Sequence, residues 1–318
     1  MPLERSPARL SRKMRRTLPP RGASKVIYAA LAGNLAIALT KLGASLYTGS
    51  SAMLTEAIHS LVDTGDQGLL LYGLKRAGRP PDERHPFGYG LELYFWCFVV
   101  ALMIFALGGA FSIYQGIQKV LRPEAIESAW VNFVVLGASM VFEGMSFAVA
   151  YRELHSRFTG VSLWTAIRRS KDPSTFAVLL EDSAALVGLV FAAAGVAAST
   201  WLGYPAADGA ASIAIGALLI VIAAVLANET RSLLTGESAS PRVLDIARVV
   251  LASDPRVRKV EQIMSLHLGP SEVLLAITIV LRDDLSVKQV RETAQELREQ
   301  IELSQPVISH VFFRLAPS

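Results

Sequence analysis

Glu56, His59, Asp63 and Asp66 follow one another at steps of three, four and three residues inside a run that holds no other ionisable side chain apart from a tyrosine and is mostly apolar, with Thr55 and Gln67 bordering the stripe. At helical pitch those steps set all four side chains along one face, neighbours lying about 5–6 Å apart. Further acids stand in other apolar runs: Glu143 in one, and the adjacent pair Glu181-Asp182 in another. Facing them are Lys41 and the titratable His59. Ionisable groups in such surroundings are costly, so an excess of carboxylates must either bind protons or admit a cation. Imidazole with carboxylates suits a divalent transition metal, zinc foremost, with manganese, iron or cobalt gaining as oxygen ligands predominate. The single cysteine, Cys97, is not close by, which argues against copper(I). His59 and Asp63, at i and i+4, can reach one ion from a single turn. Glu181 and Asp182 lie about 100° apart on a helix, so they cannot point equally well at that ion.

Plainer readings stand beside the metal one. His59 and Asp63 could hydrogen-bond and hold two helices together. Glu56, near the end of its run, reads as an interfacial acid. Asp66 suits a pathway or helix packing equally, and Glu143 could be a structural hydrogen-bond partner.

The elements that must position these residues are membrane helices. The chain has 318 residues, 52% hydrophobic and 18% charged, against roughly 25% charged in soluble domains. With a mean hydropathy of +0.41, this disfavours a soluble enzyme and excludes disorder, a coiled coil and a collagen-like repeat. Windows of about 20 mostly apolar residues, the length that crosses a bilayer, fall at Val26–Tyr47, Ala52–Leu74, Leu93–Gln118, Ala129–Tyr151, Ser174–Thr200 and Asp208–Asn228. Lys and Arg crowd the stretch before the first window and the loops after the second and fourth, while the alternate connections hold few. By the positive-inside rule both termini face the cytoplasm. The formal net charge of +4 is thereby accounted for by topology, and nucleic acid is not expected as a partner. The Arg-rich start also admits a mitochondrial transit peptide. Lys171-Asp172-Pro173-Ser174 reads as a helix start, with Asp172 capping free amides and Pro173 in the first turn. Cys97 cannot form an internal disulfide and reads as a small buried hydrophobe.

From about Ser238 the composition turns charged and water-soluble. Pro241–Ala252 is amphipathic, Val257–Leu268 and Val273–Leu281 read as strands around Gly269-Pro270, Val287 to Ile301 carries a helical stripe, and Val307–Leu315 reads as a last strand. The order αββαβ closes as a three-stranded sheet with two helices on one face. The expected fold is therefore an all-α six-helix membrane domain plus a small α+β, ferredoxin-like C-terminal domain on the cytoplasmic side. The expected divisions are a basic tail over 1–25, a six-span domain over 26–230 and the soluble domain over 238–318.

Leu54-Thr55-Glu56-Ala57-Ile58-His59-Ser60-Leu61-Val62-Asp63, the hexapeptide His85-Pro86-Phe87-Gly88-Tyr89-Gly90, six spans and an αββαβ tail together resemble the cation diffusion facilitators. Asp172-Pro173-Ser174-Thr175 and Leu179-Leu180-Glu181-Asp182-Ser183-Ala184-Ala185 are most similar to the branch of the mitochondrial zinc transporter of animals and its bacterial relatives. The resemblance implies a homodimeric, proton-coupled exporter of divalent metal working by alternating access. Zn2+ would be the transported substrate, H+ the coupling ion, and no prosthetic group is expected. It assigns the transport site to His59, Asp63 and Asp182; Val178 stands where a fourth ligand is expected, leaving Glu181, Glu143 or water to complete the shell. A loop site would take Asp82 and His85, with Tyr89 replacing a second histidine. His267 and His310 are outside the matching positions for metal sensing, so the tail's implied role is dimerisation. Mn2+, Fe2+ or Co2+ remain alternative cargoes, and a non-transporting scaffold or sensor an alternative role. A membrane metalloenzyme lacks a His-Glu-x-x-His helix or a Ser/His/Asp set. The expected location is a bacterial inner membrane, with a mitochondrial membrane as the other option.

Overall fold

The computed structural model describes residues 21–48, 51–123 and 129–317; within its helices the side chains of 21–25, 44–45, 47–59, 129 and 169 lie outside the described set. Long helices form at each of the six apolar windows: α1 (Arg21–Thr48), α2 (Ser51–Ala77), α3 (Leu91–Leu121), α4 (Ala129–Arg157), α6 (Pro173–Trp201) and α7 (Ala207–Leu234). A short helix, α5 (Leu163–Arg169), stands between α4 and α6. Among the described residues α1, α3, α4, α6 and α7 each hold a stretch apolar and long enough to cross a membrane; α2 carries the polar stripe. At about 1.5 Å per residue the 29 residues of α4 extend roughly 44 Å, beyond the approximately 30 Å of a bilayer's hydrocarbon core.

The helical unit has large apolar side chains on its outside as well as within. Leu102, Phe105, Val190 and Val221 are each about half exposed, an arrangement that water penalises and lipid does not. Trp130 at the start of α4 and Trp201 at the end of α6 are also exposed, and Phe133 stacks on Trp201 at 5.4 Å. Such rings suit the headgroup level of a membrane. This chain is an integral membrane protein.

Inside the unit α1 packs along α4 and α6, and α4 along α6. A second set of contacts joins α3 to α7. Gly109 and Gly116 on α3 meet Gly216 and Gly209 on α7, so closely that a Cβ at Gly116 would stand 2.7 Å from the Gly209 carbonyl oxygen, and one at Gly216 2.7 Å from that of Gly109. Both glycine pairs are seven residues apart, two helical turns, which lets two antiparallel backbones touch twice. A π-helical segment, Ile104–Ala110, precedes the second contact, and the Phe111 N–H donates to Ala106 five residues back. The extra residue per turn re-aims the rows of α3 at this point. Cys97 is fully buried on α3, as expected of a small hydrophobe.

The entry to α6 corrects one expectation. Pro173 does take the first helical position, but the Asp172 side chain caps no backbone amide. Its carboxylate accepts from the Ser174 and Thr175 hydroxyls at 2.6 and 3.0 Å and from the Arg157 guanidinium at 2.9 Å. The competing hydroxyls and the guanidinium on α4 take the oxygens that the amides would have used. Asp172 thereby ties the end of α4 to the start of the helix that bears Glu181 and Asp182.

A second compact unit holds Arg76–Glu92 and the chain from Ser232 on. It contains α8 (Pro241–Ala252), β1 (Val257–Gly269), β2 (Glu272–Leu281), α9 (Val287–Ser304) and β3 (Ile308–Leu315), the expected αββαβ order. The sheet runs β1-β2-β3, antiparallel then parallel, so β2-α9-β3 is a crossover unit. Its core joins Ala247 and Leu251 of α8 and Leu297 and Ile301 of α9 to Val273, Leu275, Ile277 and Ile279 of β2. Both helices lie on one face. Ser286 and Gln289 form a reciprocal capping box at the start of α9.

Candidate metal centre

On α2, Asp63, Asp66 and Gln67 are at i, i+3 and i+4, one face of the helix. That face meets Glu181 of α6. One carboxylate oxygen from each of Asp63, Asp66 and Glu181 lies within 4.8 Å of the other two. A point central to three such atoms is no more than about 2.8 Å from each, so a shift of about 1 Å or less brings all three to the distance of a divalent-metal ligand. Asp66 and Gln67 are 1% and 0% exposed. Gln67 Nε2 donates to Glu181 Oε2 at 2.7 Å, while Asp66 Oδ1 and Gln67 Oε1 are buried with no hydrogen-bond donor among the described residues.

Electrostatics defines what this cluster needs. Two ionised carboxylates 4.8 Å apart repel by about 3 kcal/mol at an effective dielectric constant near 20. Glu143 on α4 is within Coulombic reach of Asp182, Asp63 and Lys41, and Glu181 within reach of Asp66, Asp63, Asp182 and Glu143. Lys41 of α1 donates to Ser60 of α2 at 2.9 Å. Protons or a cation must relieve the repulsion, and a divalent ion does so for several acids at once.

The sequence-expected residues are distributed as follows. Asp63 and Glu181 come together, joined by Asp66. Asp182, 1% exposed, turns away from Glu181 and accepts from Ser146 Oγ of α4 at 2.6 Å. Adjacent positions on α6 thus face different helices, the division their 100° separation requires. The helix is continuous through position 59, one turn before Asp63, and the His59 side chain lies outside the described residues. Among the described residues Gln67 and Ser146 are polar partners of the α6 acids; Gln67 borders the polar stripe of α2, and Ser146 carries no sequence signature beyond its place on α4.

Asp82 and His85 sit elsewhere, in the α2–α3 loop. Asp82 Oδ1 accepts from the Arg84 and His85 backbone N–H groups at 3.0 and 2.8 Å, and Oδ2 from the Tyr89 hydroxyl at 2.6 Å. His85 Nδ1 is 3.7 Å from Asp82 Oδ1. The Tyr89 hydroxyl and the His85 N–H hold the Asp82 carboxyl below the ordinary carboxylate range, and the same bond pushes the Tyr89 phenol up.

A family model described as the cation efflux transmembrane domain matches residues 27–235. The chain belongs to the cation efflux family. Members of this family, the cation diffusion facilitators, are transporters and not enzymes. The chain is 33% identical over 287 residues to the human "Proton-coupled zinc antiporter SLC30A9, mitochondrial", covering 88% of this chain and 50% of that protein. It is 30% identical over 275 residues to Metal tolerance protein C4 of Arabidopsis thaliana, covering 86% and 60%. With magnetosome protein MamB of Magnetospirillum gryphiswaldense identity is 25% over 278 residues, covering 87% and 88%. The chain therefore spans about half the length of the zinc antiporter it matches. Cation efflux membership brings the expected fold with it: a helical membrane domain followed by a small three-stranded α+β region.

Proposed function

We propose that this chain is a proton-coupled exporter of a divalent metal cation, Zn2+ foremost, working by alternating access in a homodimer with both termini in the cytoplasm. The observation that carries the reading is the meeting of Asp63, Asp66 and Glu181 between two membrane helices, where an ion is the economical remedy for their repulsion. The similarity to a protein named as a proton-coupled zinc antiporter supports both cargo and coupling. His59, Asp63 and Asp182 hold the ion in the transport site, and Glu181 or Glu143 completes the shell; Asp66 forms the adjoining carboxylate layer. Metal binds the deprotonated ligands, so affinity falls as pH drops and each binding event displaces protons. The host membrane in this reading is the bacterial inner membrane or a mitochondrial one.

One observation favours a second cargo. The described carboxylate group offers oxygen only, which suits Mn2+, and to a lesser extent Fe2+ or Co2+, better than a nitrogen-rich site does. Both readings are tested by reconstituting the full chain in liposomes with an imposed pH gradient and following uptake of Zn2+, Mn2+, Fe2+ and Co2+ separately. The expected outcome is gradient-dependent accumulation of Zn2+, lost in His59→Ala, Asp63→Ala and Asp182→Ala. Uptake at the parent rate in those variants removes the site assignment, and a parent protein that moves none of the metals is a scaffold or sensor.

A further inference from the structure

The His85–Gly90 hexapeptide takes no part in the acid cluster, yet it is braced at several points within the second unit. Phe87 sets its ring edge-on to His310 at 5.3 Å and to Phe312 at 6.4 Å. Along β3 these two alternate with Val311 and Phe313, which pack into the core beneath the helices. His310 and Phe312 therefore belong to the face of the sheet that α8 and α9 leave uncovered. Gly90 backs onto the end of β1: a Cβ there would stand 2.2 Å from the Leu268 carbonyl oxygen and 3.1 Å from Gly269 Cα. Within the loop, Gly88 N–H donates to the His85 carbonyl at 2.9 Å, the His85 and Tyr89 rings lie 4.1 Å apart, and Tyr89 donates to Asp82. At its base Arg76 reaches Glu92 at 2.6 Å and lies over the Tyr89 ring at 5.8 Å.

We propose that Asp82–Gly90 is a latch: an intramolecular docking segment seated on the helix-free face of the C-terminal sheet, held closed by protein contacts alone, whose docking is required for turnover. The oxygens of Asp82 serve as acceptors for the loop's own N–H and O–H groups, so the segment is braced without an ion. Phe87 supplies the apolar contact, and Gly90 is the one residue type whose backbone can lie against Leu268. The same loop joins α2 to α3, so seating it makes the ends of both helices part of the C-terminal folding unit. The turnover arm of this proposal rests on the transporter reading; the docking arm does not.

Amide hydrogen exchange on the full chain in lipid nanodiscs tests it, alongside transport in liposomes. In the parent, the amides of 85–90 stay protected to the same degree with Zn2+ and with EDTA. Gly90→Ala speeds exchange of 85–90 and of 266–269 together by about tenfold or more, while β2 and α9 keep parent protection, which shows the domain is still folded. Tyr89→Phe, which removes only a hydroxyl, gives a smaller change in the same peptides. Transport falls severalfold in both variants with Zn2+ affinity unchanged. Protection in the parent that collapses with EDTA, unchanged exchange in Gly90→Ala, or a loosened loop with transport at the parent rate overturns the latch. A parent that moves no metal sinks the transporter reading and with it the turnover arm, and leaves exchange to decide the docking.

Discussion

Asp182 and Ser146 make one contact whose two possible meanings separate by experiment. Ser146→Ala leaves a buried carboxylate oxygen without its donor, a loss of about 1–3 kcal/mol, read as a lower thermal midpoint in detergent. If Asp182 also holds the cargo, Zn2+ at 100 times its Kd adds about 2.7 kcal/mol to the parent and Asp182→Asn loses most of that rise; a rise kept in full by Asp182→Asn removes Asp182 from the ligand set. Asp66→Asn keeps the shape of the site and removes one carboxylate that metal binding would deprotonate, so Zn2+ affinity, measured by calorimetry, falls tenfold or more (about 1.4 kcal/mol or more). Asp254, in the soluble unit, offers a pH test. The Arg256 guanidinium bonded to it at 2.7 Å holds its carboxyl below the ordinary range. A folded-state pKa below the unfolded value of about 3.9 stabilises fully above that value and is lost as pH falls through the folded pKa. Exchange protection of β1 should therefore weaken below about pH 4 in the parent, and Asp254→Asn should start lower and vary less with acid. The stripe on α2 was legible in sequence because charged letters are rare in apolar runs. The partners of Gln67 and Ser146 were not, since amides and hydroxyls are ordinary in such helices and the acids they bond are 114 and 36 residues away.

Among the elements, α3 and α7 depend on glycine in a way that a substitution can measure. Gly116→Ala places a methyl 2.7 Å from the Gly209 carbonyl oxygen, which forces the helices apart at a cost of about 1–3 kcal/mol. Gly209→Ala meets the same crossing from the other side. The double variant should then lose less than the sum of the two, because the first methyl has already opened the contact; thermal midpoints of the four proteins close the cycle, and strict additivity would show that the crossing does not control stability. The helices themselves were readable from apolar windows, and the strands and helices of the soluble domain fell within three residues of their observed ends, because each carries a hydrophobic period. The glycine pairing and the π-turn have no such period. Matched seven-residue spacings in two runs were present as a signal, but 23 glycines in the chain offer many spacings, and only the antiparallel meeting of α3 with α7 selects this one. Asp172 marks a similar limit: its position before Pro173 was informative, whereas its choice of hydroxyls and Arg157 over amides depends on a neighbouring helix.

Taken whole, the molecule reverses its own average: a net-positive chain gathers carboxylates where its helices cross the membrane. An exporter that loads metal against protons should accumulate more cargo the steeper the imposed gradient and none when a protonophore collapses it, a comparison that uptake traces make directly. Resemblance to a family was legible across most of the chain, since the hexapeptide, the α2 stripe and the αββαβ order are written in sequence; the cargo was not, since zinc and manganese differ in a preference for one ligand atom over another. Cys97 finally has a practical meaning. It is the only cysteine in the chain and it is wholly buried, so the native protein is a blank for water-soluble maleimides. A thiol introduced at Ser238 or at Tyr204 becomes the only reactive one, and labelling sealed vesicles from each side reports which compartment it faces. With both termini cytoplasmic, a Cys at 238 reacts from the cytoplasmic side and one at 204 from the other.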